Sequence, residues 1–105
     1  MHIQVNTDNT IDGGSDLIAT IEGIARSKLG AVASQVTRVE VHLRDENAQK
    51  GGADDKRCMA EARPEGRAPV AVTHNADTVE SAAIGALDKL RSALDRELGK
   101  RRAHR

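Results

Sequence analysis

The sequence predicts a single α+β domain of order β-α-β-β-β-α, a four-stranded sheet with two helices on one face. Residues 2–6, 37–44, 56–63 and 69–73 alternate apolar and polar side chains, the pattern of strands with one wet face. Residues 16–32 and 78–98 instead repeat apolar side chains at steps of three and four, as amphipathic helices do. A chain of 105 residues is enough for one core and too short for two.

His2 to Asn6 reads as the first strand, with Ile3 and Val5 on one side. Thr7 to Gly14 is a polar loop, and Ser15 is placed to cap the helix, with Asp16 favoured by the helix dipole in the first turn. Leu17, Ile18, Ile21, Ile24, Ala25, Lys28, Leu29 and Val32 recur on one face of this helix; Gly23 weakens it and Gly30 can end it early. In the second strand Val39, Val41 and Leu43 oppose Arg38, Glu40, His42 and Arg44. Asp45 to Asp55 is a loop too long for a tight hairpin. Cys58, Ala60 and Ala62 then oppose Arg57, Met59, Glu61 and Arg63. Pro64-Glu65-Gly66-Arg67 is a turn, and the last strand points Val70 and Val72 inward. Thr78 caps the second helix, whose apolar stripe is Val79, Ala83, Ala86, Leu87, Leu90, Leu94 and Leu98, and fraying is expected after Gly99.

Composition narrows the function. The chain has no Phe, Tyr or Trp, so its core is aliphatic and bases cannot be stacked on aromatic rings. Any nucleic acid must be held through phosphate, ribose and shape. Sixteen basic residues balance sixteen acidic ones, so electrostatic attraction has to come from segregated charge. The six residues from Lys100 to Arg105 hold four basic residues and no acid. Cys58 is the only cysteine, which excludes an internal disulfide and a thiolate zinc cluster and suits a reducing compartment. Met1 to Val5 lacks the pattern of a signal peptide, and no apolar run approaches a membrane span, so a cytoplasmic location is expected.

Four stretches carry a resemblance: Lys28-Leu29, Thr37-Arg38-Val39-Glu40-Val41-His42-Leu43, Lys56-Arg57-Cys58 and Ala86-Leu87-Asp88-Lys89-Leu90. In that order and spacing the chain resembles the ribosome hibernation-promoting factor family, also called ribosome-associated inhibitors, from Met1 to about Gly99. Members usually carry an Asp, an apolar residue and an aromatic where this chain has Thr78, Val79 and Glu80, and they are more basic. The resemblance implies a fold like the double-stranded-RNA-binding domain, in a short form that ends after the second helix. It also implies binding to the small ribosomal subunit, at its RNA near the decoding region, and inhibition of translation under stress or in stationary phase. Residues 1–99 are then the ribosome-binding domain and 100–105 a basic tail, with no cofactor, no membrane partner and a monomer off the ribosome. A module docking a protein partner through its open sheet face or edge is the alternative.

Among the basic residues, Arg91 has Asp88 and Asp95 at helical spacing, and Arg26 has Glu22. Lys89 and Arg96 have no acid at those spacings, and with Lys100 they fall on one flank, extended by Arg101 and Arg102; Lys28 likewise lacks an acid on its own helix. The candidate RNA-contact set is Lys28, Lys89, Arg96, Lys100 and Arg101, with Arg26 added from the first helix, against the plainer reading of a solvated face and a frayed tail.

The outward sheet face, with His2, Arg38, Glu40, His42, Arg44, Arg57, Glu61 and Arg63, is either a second RNA surface or an ordinary wet face. His2 and His42 can be neighbours if the first two strands pair, but two imidazoles make a poor zinc site. Asp45, Glu46, Asn47, Asp54 and Asp55 do not follow the calcium-loop spacing and read as a solvated loop. Cys58 reads as a small core residue, and His74 as a residue before the second helix within reach of Asp77. No nucleophile elbow or phosphate-binding glycine loop is present, so no enzyme is expected.

Overall fold

In a computed structural model describing residues 1–11, 14–46 and 55–103 (the side chains of 100–103 excepted), the alternating segments form one sheet with a dry face. The elements are β1 (His2–Thr7), α1 (Ser15–Leu29), a 3-10 turn (Gly30–Gln35), β2 (Val36–Asp45), β3 (Lys56–Pro64), β4 (Val70–Ala76) and α2 (Val79–Ala103). The α+β order β-α-β-β-β-α is thus the one the sequence predicts. The sheet runs β1-β2-β3-β4. The crossover through α1 returns the chain so that β2 lies parallel to β1, whereas β3 and β4 pair antiparallel.

Register aligns the apolar positions. Val5 lies beside Val41, Val41 opposite Ala60, and Ala60 opposite Val72. The helices cover this face with Ile21, Ala25 and Leu29 from α1 and Ala83, Ala86, Leu87, Leu90 and Leu94 from α2, all fully buried. Alanines on both layers let the backbones approach closely, and Leu, Ile and Val fill the remaining space.

Several boundaries differ from expectation. Gly14 is the cap of α1, without a side-chain bond, and Ser15 is its first helical residue. α1 stops at Leu29, and Val32 stays buried in the following 3-10 turn. Thr78 does cap α2, its Oγ1 accepting a bond from the Ser81 N–H at 3.0 Å. α2 passes Gly99 and reaches Ala103, since one glycine costs about 1 kcal/mol while the basic residues that follow favour a helix C-terminus. Thr37 and Arg38 are both exposed because the β2–β3 register shifts there. At the Pro64–Arg67 turn, Gly66 takes φ of +71°, the left-handed position that a type II turn gives to glycine.

β4 continues to Ala76, so His74 lies in a strand and faces α2 instead of pairing with Asp77. Its ring rests directly on Gly85. Asp45 and Asp55 are not a solvated loop either. Lys56 Nζ binds Asp55 at 2.7 Å and Asp45 at 3.3 Å, and the Glu46 N–H donates to the Asp55 carbonyl at 2.9 Å. This clamp buries Asp55 and holds the Lys56 ammonium charged above its ordinary range, chiefly through the Asp55 bond. Asn47 and Asp54 lie outside the described residues.

Cys58 is fully buried, and desolvation pushes its thiol up from 9.0 to about 12. The folded state therefore holds this proton more tightly than the unfolded chain. Above pH 9 the linkage costs stability by about 1.4 kcal/mol per pH unit until the folded value is reached. Alkaline unfolding curves should show this slope, and Cys58→Ala should remove it. The contribution of Lys56, lost as pH rises from 10.5 to its own raised value, should persist in that variant.

Candidate nucleic-acid interface

α2 buries one stripe and turns the opposite flank to solvent, where its 3.6-residue repeat brings Lys89, Ser92 and Arg96 together. With Val72 and Asp88 these line a shallow groove of about 380 Å³ between α2 and β4. Lys89 Nζ donates to the Thr73 carbonyl at 3.1 Å and has no carboxylate partner among the described residues. Arg96 is exposed and makes no ion pair among those residues. The helix backbone carries Lys100 and Arg101 one turn further along.

Lys28 is placed differently. The sequence shows no acid near it on its own helix, yet Asp88 of α2 lies 2.7 Å from its Nζ. Asp88 is therefore not the partner of Arg91, as the helical spacing suggested. Arg91 binds Asp95 at 2.9 Å and also donates to the Lys28 carbonyl at 3.0 Å, tying the end of α1 to α2. Arg26 is exposed, and no ion pair joins it to Glu22. The structure thus separates the candidate set. Lys89 and Arg96 share an open groove, Lys28 is matched at the helix seam, and Arg26 stands apart.

One contact had no local signal. Arg67 Nη1 donates to the Glu97 carbonyl and binds its carboxylate at 3.2 Å, fastening the β3–β4 turn to α2. The partners are thirty residues apart, beyond any helical or strand repeat.

On the other side of the sheet, register sorts charge into bands. Arg38 lies opposite Arg63, Glu40 opposite Glu61, and Arg44 opposite Arg57. Opposite like charges are unfavourable, and compensation comes along the strands, with Arg38 to Glu40 at 3.5 Å and Arg63 to Glu61 at 3.6 Å. His2 lies beside Arg38 and His42 beside Asn6, so parallel pairing separates the two histidines. Among the described residues no group of three or more metal-ligating side chains occurs, and no helix is long and apolar enough to cross a membrane.

A ribosomal subunit interface protein from Coxiella burnetii superposes with a TM-score of 0.71 at 15% identity, covering 94% of this chain and 99% of that one. The N-terminal domain of Thermus thermophilus Protein Y superposes with a TM-score of 0.65 at 17% identity, covering 91% and 98%. At such identities the likeness is one of fold. No curated protein matches the chain by sequence. The family model described as sigma 54 modulation protein / S30EA ribosomal protein matches residues 9–102, which supports the resemblance stated above. The chain belongs to that family.

Proposed function

We propose that the protein is a ribosome hibernation factor: it binds the small ribosomal subunit near the decoding region, through ribosomal RNA, and idles it under stress or in stationary phase. Membership of a ribosome-associated family supports this reading, as does the fold shared with a ribosomal subunit interface protein. The observation that carries it is the groove flank of α2. Lys28 and Arg91 each hold a carboxylate, whereas Lys89 and Arg96 hold none among the described residues. In a chain of zero net charge, such a flank is where phosphates release the most counterions on binding. Lys100 and Arg101 extend it, while Lys28 is held by Asp88 at the helix seam and Arg26 stands apart. The protein acts by occupancy, as a cytoplasmic monomer off the ribosome, with no catalytic step and no cofactor.

In sucrose gradients of stationary-phase extract the protein should migrate with small subunits; protein remaining at the top of the gradient would instead favour a module for protein partners. Affinity for purified subunits should fall with salt. The four contacts Lys28, Lys89, Arg96 and Lys100 would give a log–log slope of roughly −3. With Lys28 already matched by Asp88, three contacts give roughly −2 to −3. A slope near zero would remove phosphate contact from the mechanism.

A further inference from the structure

The outward sheet face holds an open depression of about 350 Å³ where β1 and β2 end. Its lining includes Asn6, Thr7 and Asp8 from the β1 side, His42 and Arg44 from β2, and Arg57 and Met59 from β3. Its volume lies at the lower end of the range of small-molecule sites, roughly 300–1,000 Å³. We propose that this depression binds a nucleotide unit, its phosphate on Arg44 and Arg57, its base against Met59 and the base edge toward Asn6 and Asp8. The site lies across the sheet from α2 and does not rest on the ribosome reading.

The arginines carry the first part of the argument. Arg44 and Arg57 are direct cross-strand partners, an arrangement that costs stability. Their shared counter-charge, Glu46, stays 3.7 Å from one and 3.9 Å from the other, because its shortest bond is the 2.8 Å bond it accepts from Asn75. Neither guanidinium makes a hydrogen bond among the described residues at that site. Two converging planar forks with open N–H groups match a phosphate, which accepts bidentate bonds.

The remaining lining suits a base. Met59 is a neutral, half-buried side chain on the outward face, and a polarizable thioether favours contact with an aromatic ring. It offers a platform, beside the His42 ring that lines the same depression, in a chain that has no Phe, Tyr or Trp. Asp8 is held as an acceptor: its Oδ1 takes bonds from Thr10 N–H at 2.9 Å and from Thr10 Oγ1, which keep the carboxyl below its ordinary range. Its Oδ2 takes part in neither bond. Asn6 Oδ1 accepts from Gln4 at 3.2 Å, so its amide N–H₂ is the group left to donate. A donor beside an acceptor is what a base edge reads. The two arginines are balanced by Glu46 and Asp8, so net charge attracts a simple anion little. A ligand gains only by engaging phosphate and base contacts together.

The test is an NMR titration of the full chain with adenosine and cytidine monophosphates, adenosine, inorganic phosphate, a ribotrinucleotide and tetraglutamate. At least one nucleoside monophosphate should shift Asn6, Thr7, Arg57 and the Met59 methyl with a dissociation constant of about 1 mM or below, leaving Lys89 and Arg96 unmoved. Phosphate and adenosine alone should each bind at least about tenfold more weakly. Arg44→Gln with Arg57→Gln should abolish the shifts while leaving thermal stability unchanged or higher, because opposed like charges are removed. Tighter binding of the trinucleotide assigns the site to an RNA strand, and equal binding to a free nucleotide. The proposal is overturned if no nucleoside monophosphate shifts these residues, if phosphate alone shifts them as strongly, if tetraglutamate displaces the nucleotide, or if the double variant still binds. Subunit binding through α2 is read separately, so the failure of one reading leaves the other standing.

Discussion

Gly85→Ala should lower folding stability by up to about 2 kcal/mol, and the same substitution in a His74→Ala background should raise it. A Cβ at Gly85 would lie 2.6 Å from His74 Cγ and nearer still to Cδ2 and Nε2. The ring rests flat on the helix, so it has to leave its seat between β4 and α2. Overpacking of this kind costs typically 1–3 kcal/mol, while alanine returns about 1 kcal/mol of helix propensity over glycine. With the ring removed only the second term remains, and the sign reverses. Urea unfolding of the four proteins of this cycle measures it; each kcal/mol should appear as about 4–8 °C in Tm. Equal destabilisation in both backgrounds would show that another neighbour, not His74, forbids the side chain. Gly23, by contrast, meets nothing within 4 Å, and Gly23→Ala should stabilise α1.

Lys89→Ala together with Arg96→Ala should weaken small-subunit binding by about tenfold or more and flatten the salt slope by about one to two units. Both positions are exposed, so thermal stability should change little. Arg91→Ala is the contrasting variant. It loses the bond to the Lys28 carbonyl and about 1 kcal/mol of stability, but its charge is spent on Asp95 and the slope should stay. Asp88→Asn tests the same logic in the opposite direction. Releasing Lys28 from its 2.7 Å partner should steepen the slope by about 0.7–0.9 and tighten binding. The pair is solvent-exposed, so breaking it should cost little stability. A slope flattened as much by Arg91→Ala as by the double substitution would move the interface to the α1–α2 seam.

Element type and order were legible in the sequence because periodicity is a local property. Val39, Val41 and Leu43 can all face a core only if the backbone is extended, and Leu87, Leu90, Leu94 and Leu98 only if it is helical. The inward face of Cys58, the cap at Thr78 and the turn at Gly66 follow from the same short-range rules. Element ends were less legible, because packing can carry β4 to Ala76 and α2 past Gly99 against weak local signals.

The candidate site divides along the same line. From sequence, helical spacing picks out Lys89 and Arg96 as cations without acids, and the structure leaves them without a carboxylate among the described residues. It cannot reveal that Lys28 is matched, since Asp88 is sixty residues away and reaches it only when α1 and α2 pack. Nor can it reveal the charge bands, because alternation puts Arg44 and Arg57 on the outward face but only the β2–β3 register sets them side by side. Gly85 looks like a helix-weakening residue until β4 lays His74 on it. Local sequence decides the secondary structure and the face each side chain takes, because both depend on neighbours within one turn or one pleat. Which charges are spent and which remain free was decided by tertiary structure, because a Coulomb partner is chosen by distance in space and not along the chain.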